Sequence, residues 1–101
     1  MYVNTNMKED IYLYSNPNEV FNNAKKYFGD DVNIKLSTRK DKKYMILDNY
    51  KNKWIHFGQM GYQDWTKHKN IMRLINFRNR NAKWLKRDIF TPAFLSYILL
   101  W

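Results

Sequence analysis

The sequence predicts an α+β domain, on three observations. Apolar residues recur at helical spacing after an Asn16-Pro17 start, residues 32–57 alternate or cluster as strands do, and residues 64–87 read as a long basic helix. With 101 residues and no glycine- or proline-rich break, the chain reads as one compact domain, 1–101, of which residues 1–15 are the least regular part.

Each element has a local reason. Residues 1–14 lack a clear period, although Tyr12 and Tyr14 suit one face of a short strand. Asn16-Pro17-Asn18-Glu19 resembles a capping box, with Asn16 as N-cap, Pro17 at the first helical position and Glu19 reaching back. Val20, Phe21, Ala24, Tyr27 and Phe28 follow on one face, and Gly29 supplies a left-handed stop. Val32, Ile34 and Leu36 then alternate with polar residues, as a half-exposed strand requires. A polar link, residues 37–43, leads to the apolar run Tyr44–Leu47; turn-forming residues 48–53 lead back through Trp54–Phe57. There Ile55 and Phe57 share one face, Trp54 and His56 the other. The expected arrangement is an N-terminal helix, a three-stranded antiparallel meander, the long basic helix, and a short apolar C-terminal helix. The last begins at Thr91-Pro92, runs through Leu100, and is expected to dock on the sheet.

Composition removes several function classes. Without cysteine there is no disulfide framework, thiolate zinc site or thiol nucleophile. No secretory leader is visible, and the longest apolar run, Phe94–Trp101, falls far short of the roughly 20 residues a membrane span needs. A protein that is not secreted and has no membrane span is expected. The net charge of +9 is unevenly placed. Residues 1–37 hold four Lys against five acids, whereas residues 38–101 hold fourteen Lys and Arg against four Asp. That asymmetry points to an anionic partner: nucleic acid, an acidic protein or a lipid surface.

The basic helix sharpens the point. Advancing about 100° per residue from Lys69 puts Arg73, Asn76, Arg80, Lys83 and Arg87 in one arc of about 80°, roughly 27 Å long. Ile71, Leu74, Ile75, Ala82 and Leu85 fall on the opposite side, with Phe77 and Trp84 toward one flank. The apolar half is expected to pack on the sheet and the basic half to face outward. An exposed helix laced with salt bridges would interleave acids, and this one has only Asp88 near its end. Arg and Lys suit phosphates, and flanking aromatics suit stacked bases. The stripe is therefore the candidate contact for DNA or RNA, joined by Lys67, Arg39, Lys40, Lys42 and Lys43. Arg78 stands in the apolar arc. Three explanations fit it: a stem that snorkels past the core, a partner such as Asp64 or Asp48, or a local departure from ideal helix.

Two further features are weighed against it. Gly58-Gln59-Met60-Gly61 lies between a strand and a helix start, where Gly58 and Gly61 either permit a tight turn or form a candidate phosphate loop. His56, Asp64 and His68 are the only trio that suggests catalysis, and their spacing fits no metal motif. No catalytic residue, metal or cofactor is assigned, and a non-enzymatic protein is expected.

The runs STRKDKKYMILD, KWIHFGQMGYQDWTKHK, FRNRNAKW and SYILLW resemble a family of small basic proteins encoded by giant nucleocytoplasmic large DNA viruses. The resemblance spans about residues 20–101. It supplies no catalytic residue and no fold, and it implies a viral source with a host-cytoplasmic replication site or the virion as location. Asn70 departs from the family pattern, where an acid is expected, and Arg78 replaces an apolar residue. The expected function is a nucleic-acid-binding accessory or packaging protein using the basic face of residues 67–87. The alternative is a virion structural or protein-interaction module that docks through its apolar C-terminal segment.

Overall fold

The computed structural model describes residue 8 and residues 10–101. The α+β class holds. A three-stranded antiparallel sheet in the order β1-β2-β3 is formed by Ile34–Leu36, Lys42–Asp48 and Lys53–Gln59. Helices α1 (Ile11–Tyr14) and α2 (Pro17–Phe28) precede it. Helices α3 (Trp65–His68) and α4 (Ile71–Arg80), a 3-10 helix (Ala82–Lys86) and α5 (Pro92–Leu100) follow.

Local chemistry explains most of these limits. The Asn16 side chain accepts from the Glu19 N–H at 3.3 Å, Pro17 opens α2, and Gly29 closes it at φ +101°. The expected return contact from Glu19 is not made. Its carboxylate holds Lys69 instead, at 2.6 Å. The β2–β3 turn is tied by Asp48, whose carboxylate accepts from the Tyr50 and Lys51 N–H groups. Residues 11–14 form one helical turn rather than the short strand suggested by Tyr12 and Tyr14, because Ile11 and Ser15 are drawn into the core. The rest of the irregular N-terminal stretch, residues 1–7 and 9, lies outside the described residues.

The core sits on one sheet face. Register pairs Tyr44 with Phe57 and Ile46 with Ile55, which places Tyr44, Ile46 and Phe57 under α2 and α5. Val20 and Ala24 from α2, Leu95, Leu99 and Leu100 from α5, and Ile11 complete it. Each fully buried large side chain contributes about 1.5–3 kcal/mol. The Asn23 amide donates to the Leu99 carbonyl at 3.0 Å and clips the two helices together. As expected, α5 docks on the sheet. Gly58 makes its last turn possible: a Cβ there would stand 2.9 Å from Leu100 Cδ1, and its φ of +82° disfavours any other residue.

The expected long helix does not exist as one piece. Lys69 adopts a left-handed conformation at φ +53°, and Asn70 then caps α4 by accepting from the Arg73 N–H at 3.1 Å. Asn81 ends α4, and residues 82–86 wind more tightly. Lys69, Lys83 and Arg87 therefore do not share a helix face with Arg73, Asn76 and Arg80. The geometry that grouped them required an unbroken α-helix.

A buried polar network fixes the chain just ahead of the first break. Lys43 Nζ meets Asp64 Oδ2 at 3.0 Å with both side chains almost wholly buried, and it also donates to the Tyr62 carbonyl at 2.6 Å. Thr66 Oγ1 donates to Asp64 Oδ1. Thr66 has one hydrogen, so at 3.2 Å the Ser15 hydroxyl is the donor to Thr66. Tyr44 in turn donates to Ser15 at 2.7 Å. All these donors point down one chain to the Asp64 carboxylate. Burial pushes the Tyr44 phenol above its ordinary value and holds the Lys43 ammonium below its own, with Asp64 opposing the shift on Lys43. Replacing Asp64 by Ala strands a buried ammonium, and it is expected to lower the unfolding free energy by about 3–5 kcal/mol in urea denaturation. A loss below about 1 kcal/mol would show that the pair is not a structural tie.

Candidate nucleic-acid interface

Within α4, spacing of three and seven keeps Arg73, Asn76 and Arg80 on one side. That side is exposed, and it also lines a groove of about 640 Å³ between α4 and the body of the domain. Lys42, Gln59, Tyr62 and Gln63 also line it, with Gly58 and residues of α5. Phe77, Trp84 and Trp101 add aromatic surface.

The basic side of α4 is exposed as expected, but the apolar side is not packed on the sheet. No residue of the helix is buried. Of the residues expected on the sheet, Ile71 and Ile75 are 56% and 45% exposed, Leu85 and Ala82 beyond α4 are exposed too, and only Leu74 is half-buried; Met72, beside the isoleucines, is 62% exposed. The packing contact comes from the flank. Phe77 stacks on Trp101 at 4.1 Å between centroids with planes 5° apart, and it also meets Tyr97 and Trp84. Arg78 explains itself here: its guanidinium donates to the Trp101 carbonyl at 2.6 Å and lies 5.9 Å from the Tyr97 ring centroid. Neither Asp64 nor Asp48 is its partner.

The remaining candidate cations divide into four groups. Lys42 joins Arg73 and Arg80 in the groove lining. Lys43 is spent in the buried pair with Asp64 and presents no ammonium to solvent, which removes it as a phosphate contact. Lys69 is held by Glu19 and lies over the Trp65 ring at 5.0 Å. Lys67, Lys83 and Arg87 are exposed outside the groove lining, as are Arg39 and Lys40 on the β1–β2 turn. Among the described residues that line the groove, Asp64 is the only acid, and Lys43 already neutralises it. Lys42, Arg73 and Arg80 therefore leave the groove strongly positive.

The glycine elbow does different work from a phosphate loop. Gly58 is buried in β3 against Leu100 and the Lys43 stem. Gly61 takes φ +94° in the turn that follows, with open space around its Cα. The four-residue α3 is too short to present a helix N-terminus to an anion, and its N-cap, Asp64, is itself anionic.

The two histidines and Asp64 are not brought together, and among the described residues no cluster of three or more His, Cys, Asp or Glu is placed to hold a metal. His56 lies on the outer sheet face beside Met45, with Nδ1 2.7 Å from the Ser37 hydroxyl. His68 Nδ1 accepts from the Asn70 N–H at 2.9 Å, so the ring proton sits on Nε2, which is buried without a hydrogen-bond partner among the described residues. Sequence reasoning missed Tyr62, Gln59 and the α5 residues, because nothing local in their sequence says that α4 will fold back across them.

The fold and groove define a small α+β protein with a cationic, aromatic-lined cleft. A model of a family of unknown function (DUF5754) matches residues 32–81, the stretch from just before β1 through α4. No curated protein and no solved structure matches the chain. Among the described residues, no helix is long and apolar enough to cross a membrane.

Burial holds both imidazoles below their ordinary value of 6.5, with Arg39 adding to the effect at His56 and Arg73 at His68. A depressed folded value means stability that is complete above pH 6.5 and lost as pH falls through the folded value. Thermal melts across roughly pH 5 to 8 should show a midpoint that is flat at the upper end and falls below pH 6.5. A midpoint that rises on acidification would contradict this.

Proposed function

We propose that the protein binds nucleic acid through the groove beside α4, as a non-enzymatic accessory or packaging factor. The observation that carries the reading is one cleft in which Lys42, Arg73 and Arg80 stand beside Tyr62, Phe77 and Trp84. Cations recruit phosphates and aromatic faces recruit bases, and the two are useful together for nucleic acid above other anions. With this goes the setting the resemblance implies, a virus replicating in the host cytoplasm, or its virion.

A second reading, a protein contact, is favoured by the outer face of α4. Ile71, Met72 and Ile75 are exposed there, while α5 has its large apolar side chains Phe94, Leu95, Leu99 and Leu100 in the core. The C-terminal segment is thus the weaker route to a partner. An apolar helix flanked by acids suits the outer face, given the cations on either side of it. In that case Ile71→Asp with Ile75→Asp abolishes the association and leaves nucleic-acid affinity unchanged.

If three groove cations neutralise phosphates, log K should fall with log salt at a slope of about −2 to −3. Arg73→Glu combined with Arg80→Glu is expected to abolish measurable affinity at near-physiological salt while leaving the melting curve in place, since neither residue is buried. A slope near zero, or unchanged binding by the double variant, would sink the proposal.

A further inference from the structure

We infer that the groove receives an unpaired nucleotide, base and phosphate together, presented by a single strand rather than a duplex. This rests on the nucleic-acid reading above and deepens it. The first reason is shape. The cleft is concave and holds about 640 Å³, within the roughly 300–1,000 Å³ of sites that enclose a small molecule. A duplex is read from outside, by an element that enters its grooves and by cations that reach its backbone. The convex side of α4 is the one suited to that, and it carries Ile71, Met72 and Ile75.

The second reason is the spacing of charges. Arg73 and Arg80 are seven residues apart, about 10 Å along the helix. That separation lets two phosphates be held with a nucleoside between them, and Lys42 lines the same cleft.

The third reason is the kind of surface between the charges. Tyr62, 69% exposed, and the half-buried Trp84, its ring edge-on to Phe77 at 5.7 Å, both line the cleft. A stacked base needs an accessible aromatic face, which only an unpaired or splayed nucleotide can use. Asn76 and Gln59 add side-chain amides, each with donors and an acceptor, which match a base edge left free by the absence of a pairing strand. Stacking of Phe77 on Trp101 holds α4 at a set distance, so the cleft is formed before any ligand arrives.

The test titrates the full chain with a short oligothymidylate, the corresponding duplex, and thymidine monophosphate, at two salt concentrations. Binding is read by fluorescence anisotropy and by tryptophan quenching. The strand is expected to bind at least about tenfold more tightly than the duplex. Tyr62→Ala and Trp84→Ala should each weaken strand binding by about 5- to 140-fold. Trp84→Phe should keep most of the affinity and lose part of the quenching. Tyr62 is exposed, so its variant keeps the fold, which circular dichroism verifies. A duplex that binds as tightly as the strand, with the same dependence on Arg73 and Arg80, overturns the inference and leaves the nucleic-acid reading standing. A monophosphate that binds as tightly as the strand also overturns it and assigns the cleft to free nucleotides. Absence of arginine-dependent binding to all three ligands overturns both.

Discussion

The buried pair between Lys43 and Asp64 is the constraint on which the rest of the structure depends. Taking two charges out of water is costly, and the Lys43 ammonium shows it: desolvation outweighs the attraction of Asp64 and holds its pKa below the ordinary value. Such a pair is weak as a source of stability. What it supplies is a fixed position. The ammonium also holds the Tyr62 carbonyl, and the carboxylate also holds Thr66, which receives Ser15 and the Asn16 N–H. Residues 62–66 are thereby pinned between β2 and the start of α2. Any register shift of β2 by one residue would carry Lys43 to the opposite sheet face and leave both charges unmatched.

Pinning that segment decides where α4 goes. After the short α3, the left-handed turn at Lys69 redirects the chain, and Asn70 caps a new helix. The Lys69–Glu19 pair fastens the corner to α2. From there α4 meets Tyr97 of α5 and Trp101 just beyond it through Phe77 and Arg78, and the cleft lies beside that contact. The arginines that line it have their guanidinium groups in a cleft rather than on a convex surface. A ligand in the cleft can therefore meet cations and aromatic surface at once, which an open helix face alone does not offer.

Much of this was legible in the chain. The Asn16 cap, the Gly29 stop, the strand alternation and the Thr91-Pro92 start are local signals, and the structure follows them to within a few residues. The grouping of Arg73, Asn76 and Arg80 was also legible, because helical period is local. What was not legible was that this side would line a cleft and that the apolar side would stay exposed. Ile71, Leu74 and Ile75 look like a core stripe by period, but burial depends on what the rest of the chain places opposite. Here that is Tyr97 and Trp101 meeting Phe77, not the sheet meeting the isoleucines. Lys43 departs from its sequence pattern for a related reason. A lysine in a basic run reads as surface, and only the distant Asp64, twenty-one residues on, turns it inward. Asn70 carried a usable signal: it is a strong N-cap type within the polar run Lys67-His68-Lys69-Asn70, where an unbroken helix period concealed it.

The central claim is that the concave side of α4, and not its apolar outer side, is the binding surface. Mapping of NMR shifts during titration with a short single strand tests it most directly, since both sides of the same helix are observed at once. The account requires the largest changes at the side-chain signals of Arg73, Asn76, Arg80 and the Trp84 indole, with Ile71, Met72 and Ile75 methyl signals unmoved. Changes concentrated on those methyl groups, with the arginine and indole signals static, would contradict it.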